Sequence, residues 1–178
     1  MAMLTEHADE TLELVDADGA VIGTALRSDV YARGVKNFRL AEVVVRDSSG
    51  KILMLKRSEK AAQLPGLWET IGEHIHPGES DVDAARRALR EEIGLDVPSL
   101  QFSFLGYTTP AEGAVGYCAV FLATVDEPPQ LMESHSEAKW LTREEISTLL
   151  REQKQEIRSN VLLIFGRFSK EIFSAGIV

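Results

Sequence analysis

Residues 80–94 constrain this chain more than any other stretch, because a start signal, an apolar stripe and a stop signal fall there in register. Ser80 is suited to cap a helix N-terminus, Asp83 stands three residues on, and Gly94 supplies the left-handed backbone on which helices end. At about 100° per residue, Val82, Ala85, Leu89 and Ile93 fall within a narrow arc, which predicts the face turned to the core. On this reading Ala84, Ala88, Glu91 and Glu92 lie on the opposite side, free for function, and the preceding loop adds Glu79. Small residues beside carboxylates leave room for a hard cation, since Mg²⁺ takes one or two carboxylates and fills its other positions with water and substrate phosphate.

The rest of the chain places strands around this helix. Residues 12–15 and 20–23, joined by a tight turn at 16–19, read as a front hairpin, and 28–32 as a short helix ended by Gly34. Residues 39–45 are rich in β-branched side chains and stop at Asp47-Ser-Ser-Gly50, after which 52–55 returns as the hairpin partner. Residues 64–68 and 72–78 read as loops. Two apolar runs, 102–107 and 117–125, flank a glycine-rich connection and form a second hairpin. Residues 138–141 read as a last strand, Thr142 caps a helix to about Glu152, and 157–173 forms another. Strands with helices interspersed and at the end indicate an α/β class with a mixed sheet covered by helices. Residues 1–9 are expected to be a flexible tail, and 10–178 a single domain.

Composition narrows the function. A chain of 178 residues with 44% hydrophobic and 26% charged residues supports one well-buried core. No run approaches the roughly 20 apolar residues of a membrane-spanning helix, and the acidic start lacks a signal peptide's positive charge. Cys118 is the only cysteine, which excludes an internal disulfide and suits a reducing compartment, so the expected location is cytoplasmic, without membrane association. A net charge of −9 argues against capture of a nucleic-acid backbone. A phosphate ligand would then require a recruited cation, Mg²⁺ or Mn²⁺.

An isolated pair such as Glu91-Glu92 is ordinarily solvated and balanced by neighbours such as Arg87. Its flanks change that reading. Gly72-Glu-His-Ile-His-Pro-Gly-Glu79, seven residues, then Arg87-Ala-Leu-Arg-Glu-Glu-Ile-Gly-Leu95 closely resembles the Nudix box. The resemblance implies an α/β/α sandwich with a central mixed sheet, and a Mg²⁺- or Mn²⁺-dependent hydrolase acting on a small diphosphate compound. It assigns Glu91, Glu92, Glu79 and the carbonyl of Gly72 to the metal, and Arg87 to orienting them. Glu79, Glu92 and Glu137 become the candidate catalytic carboxylates, with Glu133 an alternative to Glu137. Arg39, Lys56 and Arg57, with Arg33, are candidate phosphate contacts, since Arg meets phosphate bidentately; the bland alternative is surface charge. Trp68 reads as core at a strand edge. Nudix domains often dimerise, so a homodimer is also implied.

Two positions depart from the box. Ala88 stands where it expects glutamate, and that carboxylate would have shared the face of Glu91 and Glu92. Glu73 stands where its glycine normally sits, and a Cβ there restricts the backbone if positive φ is required. Glu73 either replaces a lost ligand or faces solvent.

The loop and front hairpin also resemble isopentenyl-diphosphate isomerase, which needs a cysteine and a glutamate across its substrate. This chain has Ile71 at the cysteine position, Glu73 at a metal-binding histidine, and Ala114 and Gly116 where the isomerases carry glutamates. Cys118 reads as a buried small hydrophobe. A hydrolase is therefore favoured over an isomerase, and a binding module that has lost catalysis is the third reading. His74 and His76 read as an exposed loop pair, with metal or phosphate binding the less common alternative.

Overall fold

The computed structural model describes residues 10–61, 63–98 and 102–174, and the tail expected over residues 1–9 lies outside them. Along the chain run β1 (Thr11–Val15), β2 (Val21–Leu26), α1 (Arg27–Ala32), β3 (Arg39–Arg46), β4 (Ile52–Arg57), β5 (Trp68–Glu69) and β6 (Ile71–His74). There follow α2 (Asp81–Ile93), β7 (Phe102–Thr108), β8 (Tyr117–Thr124), β9 (His135–Leu141), α3 (Arg143–Glu152) and α4 (Ser159–Phe173). The front hairpin forms as a sheet of its own, and the other strands make one seven-stranded mixed sheet.

β3 and β8 lie parallel along their full length and are buried on both faces, which is why each reads as a nearly unbroken apolar run. Alternate side chains separate two cores. Ala41, Val43, Val45, Leu53, Leu55, Ala119, Phe121 and Ala123 pack with α2. Val44, Ile52, Met54, Val120 and Leu122 pack instead with Ile146 of α3 and with Val161, Ile164 and Phe165 of α4. Helices thus cover both faces of a mixed sheet, the α/β/α sandwich. Each fully buried Leu, Ile or Phe contributes roughly 1.5–3 kcal/mol, so these two cores hold the layers together. Among the described residues no helix is long and apolar enough to cross a membrane.

The expected hairpin of 39–45 with 52–55 opens after its first pair. Arg46 and Ile52 are the only partners shared by β3 and β4, and β4 then runs with β9 and β5. The segment expected to be loop closes the opening: Trp68–Glu69 pairs with β4, and Ile71–His74 pairs with β3. Strands of two and four residues carry too little pattern to be read locally; they exist because two open edges accept them. Gly72 is required at the crossing, since a Cβ there would lie 2.8 Å from Glu42 Oε2.

α2 starts and stops as its sequence dictates. Ser80 Oγ accepts a hydrogen bond from the Asp83 amide at 3.2 Å, and Gly94 closes the helix at φ 69°. Its buried face is broader than expected: Ala84 and Ala88 are fully buried with Ala85, Leu89 and Ile93, whereas Val82 lies at the rim. The side expected to be open beside the carboxylates is filled by β3 and β6, to which alanine permits close approach. Ser80→Ala is expected to lower stability by about 1 kcal/mol through loss of the cap. Gly94→Ala will destabilise as well, because its Cβ takes positive φ and meets Gln130 Oε1 at 2.8 Å. Urea unfolding checks both, with m-values unchanged.

Candidate active site

Arg87 ties the box segment into one unit. Its Nε and Nη2 donate to Glu79 Oε1 and Oε2 at 3.0 and 2.9 Å, its Nη2 donates to the His74 carbonyl at 2.6 Å, and its Nη1 donates to Glu91 Oε2 at 3.1 Å. Glu79 Oε2 also accepts from the His76 amide at 3.0 Å. Burial raises the proton affinity of Glu79, but the Arg87 guanidinium and the His76 amide outweigh it and hold the carboxyl below its ordinary value. The side chain of Glu91 is 53% exposed.

Glu92 points elsewhere. Its Oε2 accepts from Ser134 Oγ at 3.1 Å and lies 3.4 Å from His135 Nδ1. Burial raises the Glu92 carboxyl above its ordinary value; His135 opposes this, and the nearby charges of Glu73 and Glu69 reinforce it. Glu91 and Glu92 offer hard carboxylate oxygens, with Glu91 open to solvent, a donor set whose chemistry fits a Mg²⁺ or Mn²⁺ ion that completes its shell with water. The ligand oxygens of Glu79, Glu91 and Glu92 do not all come within 4.8 Å of one another.

Behind Glu92 lies a buried polar network. His135 Nε2 is 3.0 Å from Glu69 Oε1, which also accepts from Arg57 Nη1 at 2.8 Å, while Glu69 Oε2 accepts from Arg158 Nη1 at 3.2 Å. Burial pushes the Glu69 carboxyl up, yet His135, Arg158 and Arg57 together bring it below its ordinary value. Arg158 Nη1 lies 3.9 Å from Glu42 Oε1, which accepts from Asn160 Nδ2 at 2.8 Å. For Glu42 burial prevails, and its carboxyl is raised despite Arg158 and Asn160. Sequence reading missed Glu42, Glu69, Ser134, His135, Arg158 and Asn160. Only Glu42 gave a local signal, as an acid inside the apolar run of β3.

The remaining expected residues disperse. Arg57 joins this network through Glu69, whereas both ends of the Arg39 guanidinium are engaged by Glu13 and Asp81. Lys56 and Glu137 are paired across β4 and β9, and a strand's two-residue period corrects their placement. Ala138 and Trp140 face α2, so Glu137, bridged to Lys139 at 2.8 Å, faces the other way. Lys56 and Lys139 flank the buried Trp68 ring at 5.8 and 5.0 Å on that opposite side. His74 is also corrected: it ends β6 and is buried, because Tyr31 and Phe38 enclose its ring.

The model of the NUDIX domain family matches residues 37–163. The chain belongs to the Nudix family. It is 34% identical over 140 residues to an uncharacterized Nudix hydrolase of Nostoc sp., covering 77% of this chain and 83% of that one. It is 31% identical over 145 residues to an isopentenyl-diphosphate Delta-isomerase of Kocuria rhizophila, covering 78% of this chain and 81% of that one. Its fold matches the crystal structure of DR0079 from Deinococcus radiodurans with a TM-score of 0.77 at 24% identity, over 89% of this chain and 98% of that one. Nudix membership supports a pyrophosphohydrolase type of activity.

Within the Nudix box, both departures have a structural outcome. Ala88 is buried in the cluster that includes Ile71 and Ala41. Glu73 sits in β6 opposite Ala41 without positive φ, so its Cβ brings no backbone strain. Burial raises the Glu73 carboxyl, but the His74 side chain and amide, with Arg87, pull it down to about 2. A carboxylate absent from α2 is thus present on the adjoining strand, where both Arg87 and Glu92 feel its charge. At the isomerase positions, Ile71 and Ala114 are buried and apolar. Cys118 is fully buried, and desolvation with the Glu42 charge pushes its thiol up to about 12.

Two outcomes follow from these environments. Because Glu79 is depressed in the folded protein, its contribution is fully present above the ordinary value of 4.5 and is lost as pH falls through the depressed one. Glu79→Gln should therefore lower stability by about 1.5–3 kcal/mol at about pH 7, a deficit that closes in acid unfolding titrations. Cys118 should resist iodoacetamide at about pH 8 until the chain is unfolded, as mass spectrometry will show.

Proposed function

We propose that this Nudix domain is a Mg²⁺- or Mn²⁺-dependent hydrolase that cleaves the diphosphate linkage of a small nucleotide or related diphosphate compound. The observation that carries this reading is Glu92, whose carboxylate is held by Ser134 and lies in the field of the Glu73 and Glu69 carboxylates. Glu91 and Glu92 would hold the ion, with the Gly72 carbonyl as a further donor. The ion, when bound, supplies charge neutralisation on the diphosphate and acidifies water.

The chain's own groups do the rest. Arg87 keeps Glu79 and Glu91 in place, and its bond to the His74 carbonyl fixes the end of β6 against α2. His135 and Ser134 hold Glu92 in one orientation. A carboxylate of the site would accept the proton as the water oxygen bonds to phosphorus and the bridging P–O bond breaks. Arg57, anchored on Glu69, is the basic residue of the expected set that stays beside this network and is suited to contact the phosphates.

The isomerase reading rests on the isomerase relatives. It would require an acid and a base flanking a carbon skeleton, and buried Ile71, Ala114 and Cys118 offer neither. The deciding experiment is a product-detecting screen of nucleoside diphosphate compounds and isoprenoid diphosphates with Mg²⁺ and with Mn²⁺. Metal-dependent cleavage is expected, with kcat falling about 100-fold or more in Glu92→Gln. Turnover unchanged by that substitution overturns the assignment. Deuterium exchange into isopentenyl diphosphate would establish the isomerase instead, and a ligand-dependent rise in Tm without product would establish a binding module.

A further inference from the structure

A second group of donors lies beside the machinery described above and shares Glu73 with the surroundings of Glu92. One ligand atom each of Glu10, Glu73 and His74 lies within 4.8 Å of the other two, the only group of three His, Cys, Asp or Glu side chains so close among the described residues. The set joins distant stretches, since Glu10 precedes β1 whereas Glu73 and His74 end β6. His76, just beyond, brings its Nε2 to 3.2 Å from Glu10 Oε1.

The imidazole of His74 is the informative member. Its side chain is only 7% exposed, and its Nε2 is 3.0 Å from the Tyr31 hydroxyl. Tyr31 and Phe38 pack against the ring at centroid distances of 5.9 and 5.5 Å. Such an outer partner fixes both ring orientation and tautomer in metal-binding histidines. A metal ion at Nδ1 would take the tautomer in which Nε2–H is donated to the Tyr31 oxygen. Nδ1 faces Glu73 Oε1 at 3.5 Å and Glu10 Oε2 at 3.9 Å.

The 3.5 Å separation is close to that of donors sharing an ion, and the 3.9 Å one needs the Glu10 carboxylate to close in by a few tenths of an ångström. Two atoms each about 2.1 Å from a tetrahedral ion stand roughly 3.4 Å apart. Arg27 Nη1 holds Glu10 Oε2 at 2.8 Å from outside, which steadies the carboxylate. Imidazole with carboxylates favours a borderline transition ion over Mg²⁺, whose preference is for oxygen alone.

We propose that Glu10, Glu73 and His74, with His76 as fourth donor, bind one divalent transition ion of the Zn²⁺ class, separately from the ion of Glu91 and Glu92. The bound ion links the residue that leads into β1 to the end of β6, so it braces the front hairpin against the main sheet. The site does not rest on the hydrolase reading, because it requires neither Glu91, Glu92 nor turnover.

The test uses the full chain carrying Glu91→Gln and Glu92→Gln, which disables the box while preserving side-chain shape. Equilibrium dialysis with Zn²⁺ should give one ion per chain and a raised Tm. Adding Glu10→Gln or Glu73→Gln should weaken Zn²⁺ binding at least about tenfold and abolish the rise in Tm. Mn²⁺ in the same protein should show nitrogen coupling from His74 in pulsed EPR. If the doubly substituted chain fails to fold, the parent chain with its box saturated by excess Mg²⁺ replaces it. Absence of Zn²⁺ binding, binding indifferent to Glu10→Gln and Glu73→Gln, or Mn²⁺ bound without nitrogen coupling would each overturn the proposal.

Discussion

The early parting of β3 and β4 is the constraint on which the rest of this molecule depends. Two strands joined by a tight turn at Asp47–Gly50 share only the Arg46–Ile52 pair, and both edges beyond it would be left with unpaired backbone groups. The segment from Trp68 to His74 satisfies both edges in turn. It thereby brings Glu69, Gly72, Glu73 and His74 into the opening and delivers the chain to the start of α2. The box helix sits where it does because this crossing strand leads into it, and Arg87 fastens the two by its bond to the His74 carbonyl.

Filling the opening concentrates negative charge. Glu42, Glu69, Glu73 and Glu92 approach one another in a part of the fold where burying an unpaired carboxylate costs several kcal/mol. Arg57, Arg158 and Arg87 offset part of that cost, each reaching at least one carboxylate. The uneven balance separates the acids: Glu69 and Glu73 are stabilised as anions, while Glu42 and Glu92 hold their protons more tightly than usual. A divalent cation is the natural complement to such an excess. The changes at positions 73 and 88 fit the same account, since they leave a carboxylate in the field of Glu92 while supplying it from a strand.

Much of the helix could be read directly from the chain. The Ser80 cap, the Gly94 stop and the Leu89 and Ile93 stripe are local matters, decided by hydrogen bonds and spacings within a few residues. The box acids and Arg87 were legible in another way, through the resemblance of their spacing to the Nudix box. The strand pair that opens and the two short strands that fill it were not, because their hydrogen-bond partners are remote in sequence. Lys56 and Glu137 were misplaced because which side of a sheet a strand residue faces depends on the register of its neighbours, and a single residue's shift reverses it.

The sequence by itself determined the family, the α/β class, the box helix with its ends, and the positions of the box acids on and before it. Only the tertiary structure decided which carboxylates meet. It placed Glu69, His135 and Arg158 behind Glu92 and Glu10 beside His74, and it sent Glu137 to the far side of the sheet. The physical reason is range. Capping and helical periodicity act over a few residues, whereas the charge, burial and hydrogen bonding that set a carboxylate's character come from groups 66 and 89 residues away, as for Glu69 with His135 and Arg158.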